Sequence, residues 1–150
     1  MFLAWHSWFL YELEQAIMQI DPEVRFPYWD WSVNYPNINN DPIWQKYEKC
    51  FTRKNQFDDA ISESKPEIEE LSNSKSYLDF TENLELGSHG CVHVGISIEF
   101  AGSGSLSDPL FYAHHTFIDK IWFDRQNRHS EFTLSYLTSL STQMPGFPAK

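Results

Sequence analysis

The residues in this 150-residue sequence best suited to chemistry are six histidines: His6, His89, His93, His114, His115 and His129. Each alone reads as a satisfied core or surface residue. Their spacing says more. His89 and His93 stand four apart, so on a helix both imidazoles share one face, one turn apart, as two ligands of one metal would. Gly90 stands where the zinc-protease motif H-E-x-x-H has its glutamate, so that chemistry lacks its general base. The second cluster is Asp108-Pro-Leu-Phe-Tyr-Ala-His-His-Thr-Phe-Ile-Asp119. Here His115 and Asp119 are again four apart. The pair reads either as a ligand pinned beside an acid or as a surface His–Asp pair on a capped amphipathic helix. Three imidazoles around one ion, with no cysteine or carboxylate joining them, suit copper or zinc.

The elements that must position these side chains read as helices joined by long irregular stretches. Leu3, Trp5, Phe9, Leu10, Leu13, Ile17 and Ile20 recur at spacings of three and four, which predicts a helix over 2–20, ended by Asp21-Pro22. Pro27, Pro36, Pro42 and several asparagines make 24–44 extended or looping chain. The aromatic run Phe26-Pro-Tyr-Trp-Asp-Trp31 inside it must pack on a core. The polar stretch 45–81 suits short helices at 57–63 and 66–72, with Pro66 in a first turn. A short helix fits 77–86, and 101–107 reads as a flexible Gly/Ser loop. Asp108 caps and Pro109 opens a helix running to Arg128. A last short helix fits 133–141, with 144–148 irregular.

Composition narrows the function classes. The length suits one domain over 1–150. Aromatic residues make up 17 %, enough to wall a ligand site. A net charge of −10 without a Lys/Arg cluster argues against a nucleic-acid partner. No apolar run reaches the length of a membrane span. Cys50 and Cys91 are too few for a disulfide scaffold and read as a pair or as two free thiols. Met1 is followed at once by core-like residues with no secretory signal pattern, which leads us to expect a chain lacking its natural beginning. The compartment is left open.

Four motifs occur in order: Phe2-Leu-Ala-Trp-His-Ser-Trp-Phe-Leu-Tyr-Glu-Leu-Glu14, Pro27-Tyr-Trp-Asp-Trp31, His89-x-x-x-His93 and the 108–119 cluster. Together they resemble the tyrosinase, polyphenol oxidase and molluscan hemocyanin family of type 3, binuclear copper proteins, over most of residues 2–128. The resemblance implies an all-α fold with a four-helix-bundle core, long irregular loops and, here, an incomplete N-terminus. It implies two copper ions with three histidines each, O2 bound between them, and phenols or catechols oxidised to o-quinones; hemocyanins of the family carry O2 instead. Carried over by position, His89, His93 and His115 resemble the ligands of the second copper, and His6 resembles the third ligand of the first. His114 is then structural, His129 a surface residue, Asp119 an anchor near the second site, and Pro27 to Trp31 packing beneath the bundle. The first copper's other two ligands are expected N-terminal to Phe2, so this chain is expected to hold one copper well at most. Ser7 replaces a usual arginine, and Gly90 a usual polar residue that handles substrate protons, which favours catechol oxidation over monophenol hydroxylation (the monooxygenase reaction). Glu82 and Glu85 both fit a water-holding glutamate of the family. The alternatives are a hemocyanin-like O2 carrier and a degenerate member without activity.

Overall fold

A computed structural model describes residues 2–47, 63–97 and 100–129. All regular structure among the described residues is helical. Helix α1 spans Phe2–Met18 and buries Leu3, Ala4 and Leu10. It stops two residues short of the expected end, where the amides of Ile20 and Asp21 both turn back onto the Ile17 carbonyl ahead of Pro22. Trp5, expected on the core face, is half-exposed and stacks on Phe9 instead.

The aromatic loop after α1 behaves as its composition demands. Trp29 and Trp31 are fully buried, and the Trp29 amide donates to the Ala113 carbonyl at 2.9 Å, docking the loop backbone on the last helix. Two short 3₁₀ turns follow, Trp31–Asn34 and Ile38–Asn40. Within the stretch read as loop, helix α2 begins at Pro42 and runs to Tyr47. The Asp41 carboxylate starts it by accepting from the amides of Ile43 and Trp44. Trp44 inserts against Trp29, with ring centroids 6.3 Å apart.

Helix α3, Lys65–Ser72, appears where 66–72 was expected, with Pro66 in its first turn and the Ser64 amide donating to Glu67. The helices expected at 57–63 and 133–141, the irregular 144–148 stretch and Cys50 lie outside the described residues, apart from Glu63. Cys91 is a half-buried free thiol.

The region 77–96 is one helical run. Helix α4, Tyr77–Glu82, is capped by the Ser76 hydroxyl, which accepts from the Asp79 amide. It widens into a π-helical stretch over Asn83–His89 and resumes as α5 over Gly90–Ile96. The flexible loop expected at 101–107 is an ordered 3₁₀ turn, Ser103–Ser107, with Ser105 buried and hydrogen bonds closing both ends. Helix α6 then runs Pro109–Arg128, and the Asp108 carboxylate accepts from the Leu110 amide at 2.9 Å as the Asp-Pro pair predicts.

α6 is the central element: α1, α3 and the π-helical stretch all pack on it. Its buried face carries Leu110, Phe111, Phe117, Ile118, Ile121 and Trp122, with His114 and His115 in the same row. Near its far end Arg125 is 1 % exposed. Its guanidinium lies over the Phe80 ring at 4.5 Å and donates to the Ser72 carbonyl at 2.8 Å and to Ser76 at 3.4 Å. A cation at the end of α3 answers the negative end of that helix and ties it to α4 and α6. Replacing Arg125 by alanine removes a cation–π contact and leaves carbonyls unmet, each effect about 1–2 kcal/mol. The variant Arg125→Ala is expected to lose roughly 3 kcal/mol in a urea unfolding titration, by the same sum.

Candidate metal centre

Four elements deliver histidines to one place. α1 brings His6, the end of the π-helical stretch brings His89, α5 brings His93, and α6 brings His114 and His115. The rings of His89 and His93 lie 4.4 Å apart, His89 and His115 5.0 Å, and His93 and His115 5.3 Å. His6 stacks on His115 at 4.3 Å and 11°. His89, His93 and His114 each bring a ring nitrogen within 4.8 Å of the others'. His93 Nε2 also stands 3.2 Å from His115 Nε2.

The ring hydrogen bonds decide which nitrogens carry lone pairs. His6 Nδ1 meets the Phe2 carbonyl at 3.0 Å, His89 Nδ1 the Glu85 carbonyl at 2.9 Å, and His93 Nδ1 the Phe100 carbonyl at 2.9 Å. A carbonyl only accepts, so in all three rings Nδ1 holds the proton and Nε2 presents a bare lone pair. This is the usual support of a metal-bound imidazole. His114 is wired the other way. The Trp31 indole N–H, which can only donate, reaches His114 Nδ1 at 3.1 Å. Neutral His114 therefore carries its proton on Nε2. His115 Nδ1 is buried without a hydrogen-bond partner; with His93 Nε2 bare, the 3.2 Å contact makes His115 Nε2 the donor to it.

The π-helical stretch explains how His89 is aimed. The Gly90 amide reaches back five residues to the Glu85 carbonyl, the acceptor that also holds His89 Nδ1. A Cβ at Gly90 would stand 3.4 Å from that same oxygen.

Burial keeps the cluster uncharged. Burial first, then the charge of His93, pushes His89 down to about 3, with the Glu85 carbonyl opposing and His6 adding to the drop. Burial is also the leading cause for His6, His93, His114 and His115, all lowered, and the neighbouring histidines add to the effect in the last three. Neutral imidazole is the form that binds a metal. The chemistry of this donor set, nitrogen only and facing inward, fits copper.

A mouth of about 440 Å³ opens onto these rings, lined by His6, Glu85, Gly90, Val94, Phe111 and His115 among others. Of the two glutamates left open by the sequence, Glu85 lines this mouth and Glu82 is exposed. Asp119 lies elsewhere: it bonds Ser7 in a separate cavity of about 220 Å³ between α1 and α6, and burial raises its carboxyl. It anchors helix to helix. His129, expected at the surface, is half-buried; it follows the last residue of α6, fourteen residues past His115 and roughly 21 Å along the axis. Sequence reasoning missed the Trp31–His114 bond, the π-helical stretch and Glu63, whose carboxylate accepts from the Ser88 hydroxyl.

The chain is similar to several known proteins. A tyrosinase from Streptomyces glaucescens is 26 % identical over 85 % of this chain and 63 % of its own length. The tyrosinase-like protein phomQ2 of Diaporthe leptostromiformis is 24 % identical over 87 % of this chain and 45 % of its own length. Units G and H of a hemocyanin from Sepia officinalis are 27 % identical over 81 % of this chain and 26 % of their own length. The chain thus spans less than two thirds of these relatives. Residues 1–66 and 44–128 match the common central domain of tyrosinase, and the chain belongs to that family.

Proposed function

We propose that this chain is the copper-binding part of a catechol-oxidase-type enzyme that converts o-diphenols to o-quinones with O2. The observation that carries the reading is the hydrogen bonding of Nδ1 in His6, His89 and His93 to backbone carbonyls, which leaves Nε2 of each ring as the nitrogen available to a metal.

His89, His93 and His115 would hold one copper, and His6 would serve a second. His115 is preferred to His114 because the family motif makes the second histidine of the pair the ligand. The Trp31 indole commits His114 Nδ1 as an acceptor and so places a proton on Nε2. His115 Nε2 donates to His93 Nε2 at 3.2 Å; a metal bound between them would take the place of that proton, which the unpartnered Nδ1 can carry. When bound, the copper pair supplies the redox chemistry with O2. The remaining work falls to the chain. The mouth, within the size range of small-molecule pockets, admits a single aromatic ring beside Val94 and Phe111. Gly90 offers no side chain to take the proton of a monophenol, which favours catechols. Glu85, on the rim, is the carboxylate placed to hold water or accept a catechol proton. Each catechol gives up two electrons and two protons to become a quinone. An O2 carrier using the same ligands is the second reading, which the similarity to a hemocyanin supports. Among the described residues the mouth is open, with Leu86 77 % and Val94 44 % exposed, and access for an organic ring favours the enzyme.

Copper analysis after reconstitution separates these readings. The parent and His114→Gln are expected to retain about one copper per chain, and His115→Ala to lose at least tenfold in affinity, in line with the loss of one ligand. Catechol turnover in air supports the enzyme. Copper without turnover supports the carrier, and no copper in any form overturns both.

The apo chain should also weaken in acid. The folded-state values of these histidines lie below their unfolded value of 6.5, so the unfolded chain binds more protons as pH falls. Their contribution is intact above pH 6.5 and is lost progressively toward about pH 3, where His89 itself protonates. Thermal melts of metal-free protein are expected to show Tm falling steadily from pH 7 to pH 4, and a flat profile would contradict the buried neutral cluster.

A further inference from the structure

Glu63 stands outside the metal centre but is bonded to it at one remove. It precedes α3, yet its carboxylate reaches Ser88, 25 residues further along the chain, and accepts the Ser88 hydroxyl proton. Ser88 is fully buried and immediately precedes His89 in the π-helical stretch. The other carboxylate oxygen faces Gly87: a Cβ there would stand 3.7 Å from Glu63 Oε1. One acid thus covers both residues before His89.

A helical serine usually turns its hydroxyl back onto the carbonyl four residues earlier. Ser72 does so in α3, donating to the Ile68 carbonyl at 2.8 Å. Ser88 does not; its proton goes to Glu63. That difference falls in a stretch whose backbone is wider than an α-helix. π-Helical turns are uncommon, and without outside support they give way to the α register. In the α register the His89 amide would take the Glu85 carbonyl, which now serves the Gly90 amide and His89 Nδ1. Losing that acceptor would free the His89 ring to turn away from His93 and His115.

We propose that Glu63 is a positioning residue for the metal centre: through Ser88 it holds the π-helical turn in the register that aims His89 Nε2 at the site. The inference rests on the reading of His89 as a ligand. It does not require Glu63 to change charge, since an amide oxygen in its place would accept the same proton.

The test uses copper(II) as the probe, at less than one equivalent, on the full chain and on Glu63→Ala, Glu63→Gln, Ser88→Ala and His89→Ala. Affinity is read by titration and ligand geometry by electron paramagnetic resonance. Glu63→Ala and Ser88→Ala are expected to bind copper roughly tenfold more weakly, the usual cost of removing a ligand's support, and to show a changed copper spectrum. Glu63→Gln is expected to restore the parent spectrum and affinity. A merely structural Glu63 would lower Tm in Glu63→Ala without moving the spectrum, and that result overturns the proposal. Glu63→Gln behaving like Glu63→Ala overturns it also. If Ser88→Ala does not fold, the two Glu63 variants decide. His89→Ala binding copper like the parent would instead overturn the reading of His89 as a ligand, and the proposal with it.

Discussion

Five imidazoles can share one buried space only while they stay neutral, and that constraint organises the structure around them. A charge on any one would be poorly solvated, and a second would be repelled by the first. The fold meets this by burial on one side and by backbone carbonyls on the other. Each carbonyl takes the Nδ1 proton of a ring and so determines where its lone pair points. The carbonyls come from three different places: one turn earlier in α1 for His6, the π-helical turn for His89, and the chain after α5 for His93. The centre is therefore sensitive to backbone geometry in regions with little side-chain chemistry of their own, such as Ala101 to Ser107.

Much of the scaffold was legible in the sequence, and the legible parts share a cause. Helices α1, α3 and α6 announce themselves by local rules: apolar recurrence in the first, Pro66 in a first turn in the second, Asp108-Pro109 in the third. α2 obeys the same Asp-Pro rule at Asp41-Pro42, but the surrounding prolines and asparagines outweighed it and the stretch was read as loop. The ordered turn at 103–107 was missed for a related reason. Glycine and serine signal freedom of the backbone, while the packing that buries Ser105 comes from distant chain.

The candidate site divides in the same way. Spacing put His89 and His93 on one face, and the resemblance brought His6 and His115 to join them; the structure gathers all four with His114. What spacing could not supply is the partner of each ring, because a hydrogen bond from Trp31 to His114 spans 83 residues. The same holds for Arg125, an unremarkable cation near the end of an amphipathic pattern until the Phe80 ring and the end of α3 close around it. A π-helical turn is invisible to a search for recurrence at 3.6 residues, since it inserts one residue and shifts the phase.

The paired histidines of α6 show how a distant loop can assign chemistry to adjacent residues. His114 and His115 are identical in type, both buried, and only about 100° apart around the helix. Nothing local distinguishes them. The Trp-rich loop does, because its backbone is fixed to α6 through the Trp29 amide and the Ala113 carbonyl, which brings the Trp31 indole onto His114. An indole N–H has no lone pair to offer, so the contact can form only if His114 keeps Nδ1 bare. One proton is thereby assigned to Nε2 of His114, while His115 is tied through Nε2 to His93. The aromatic loop, far from any ligand in sequence, thus acts on the centre by fixing a tautomer.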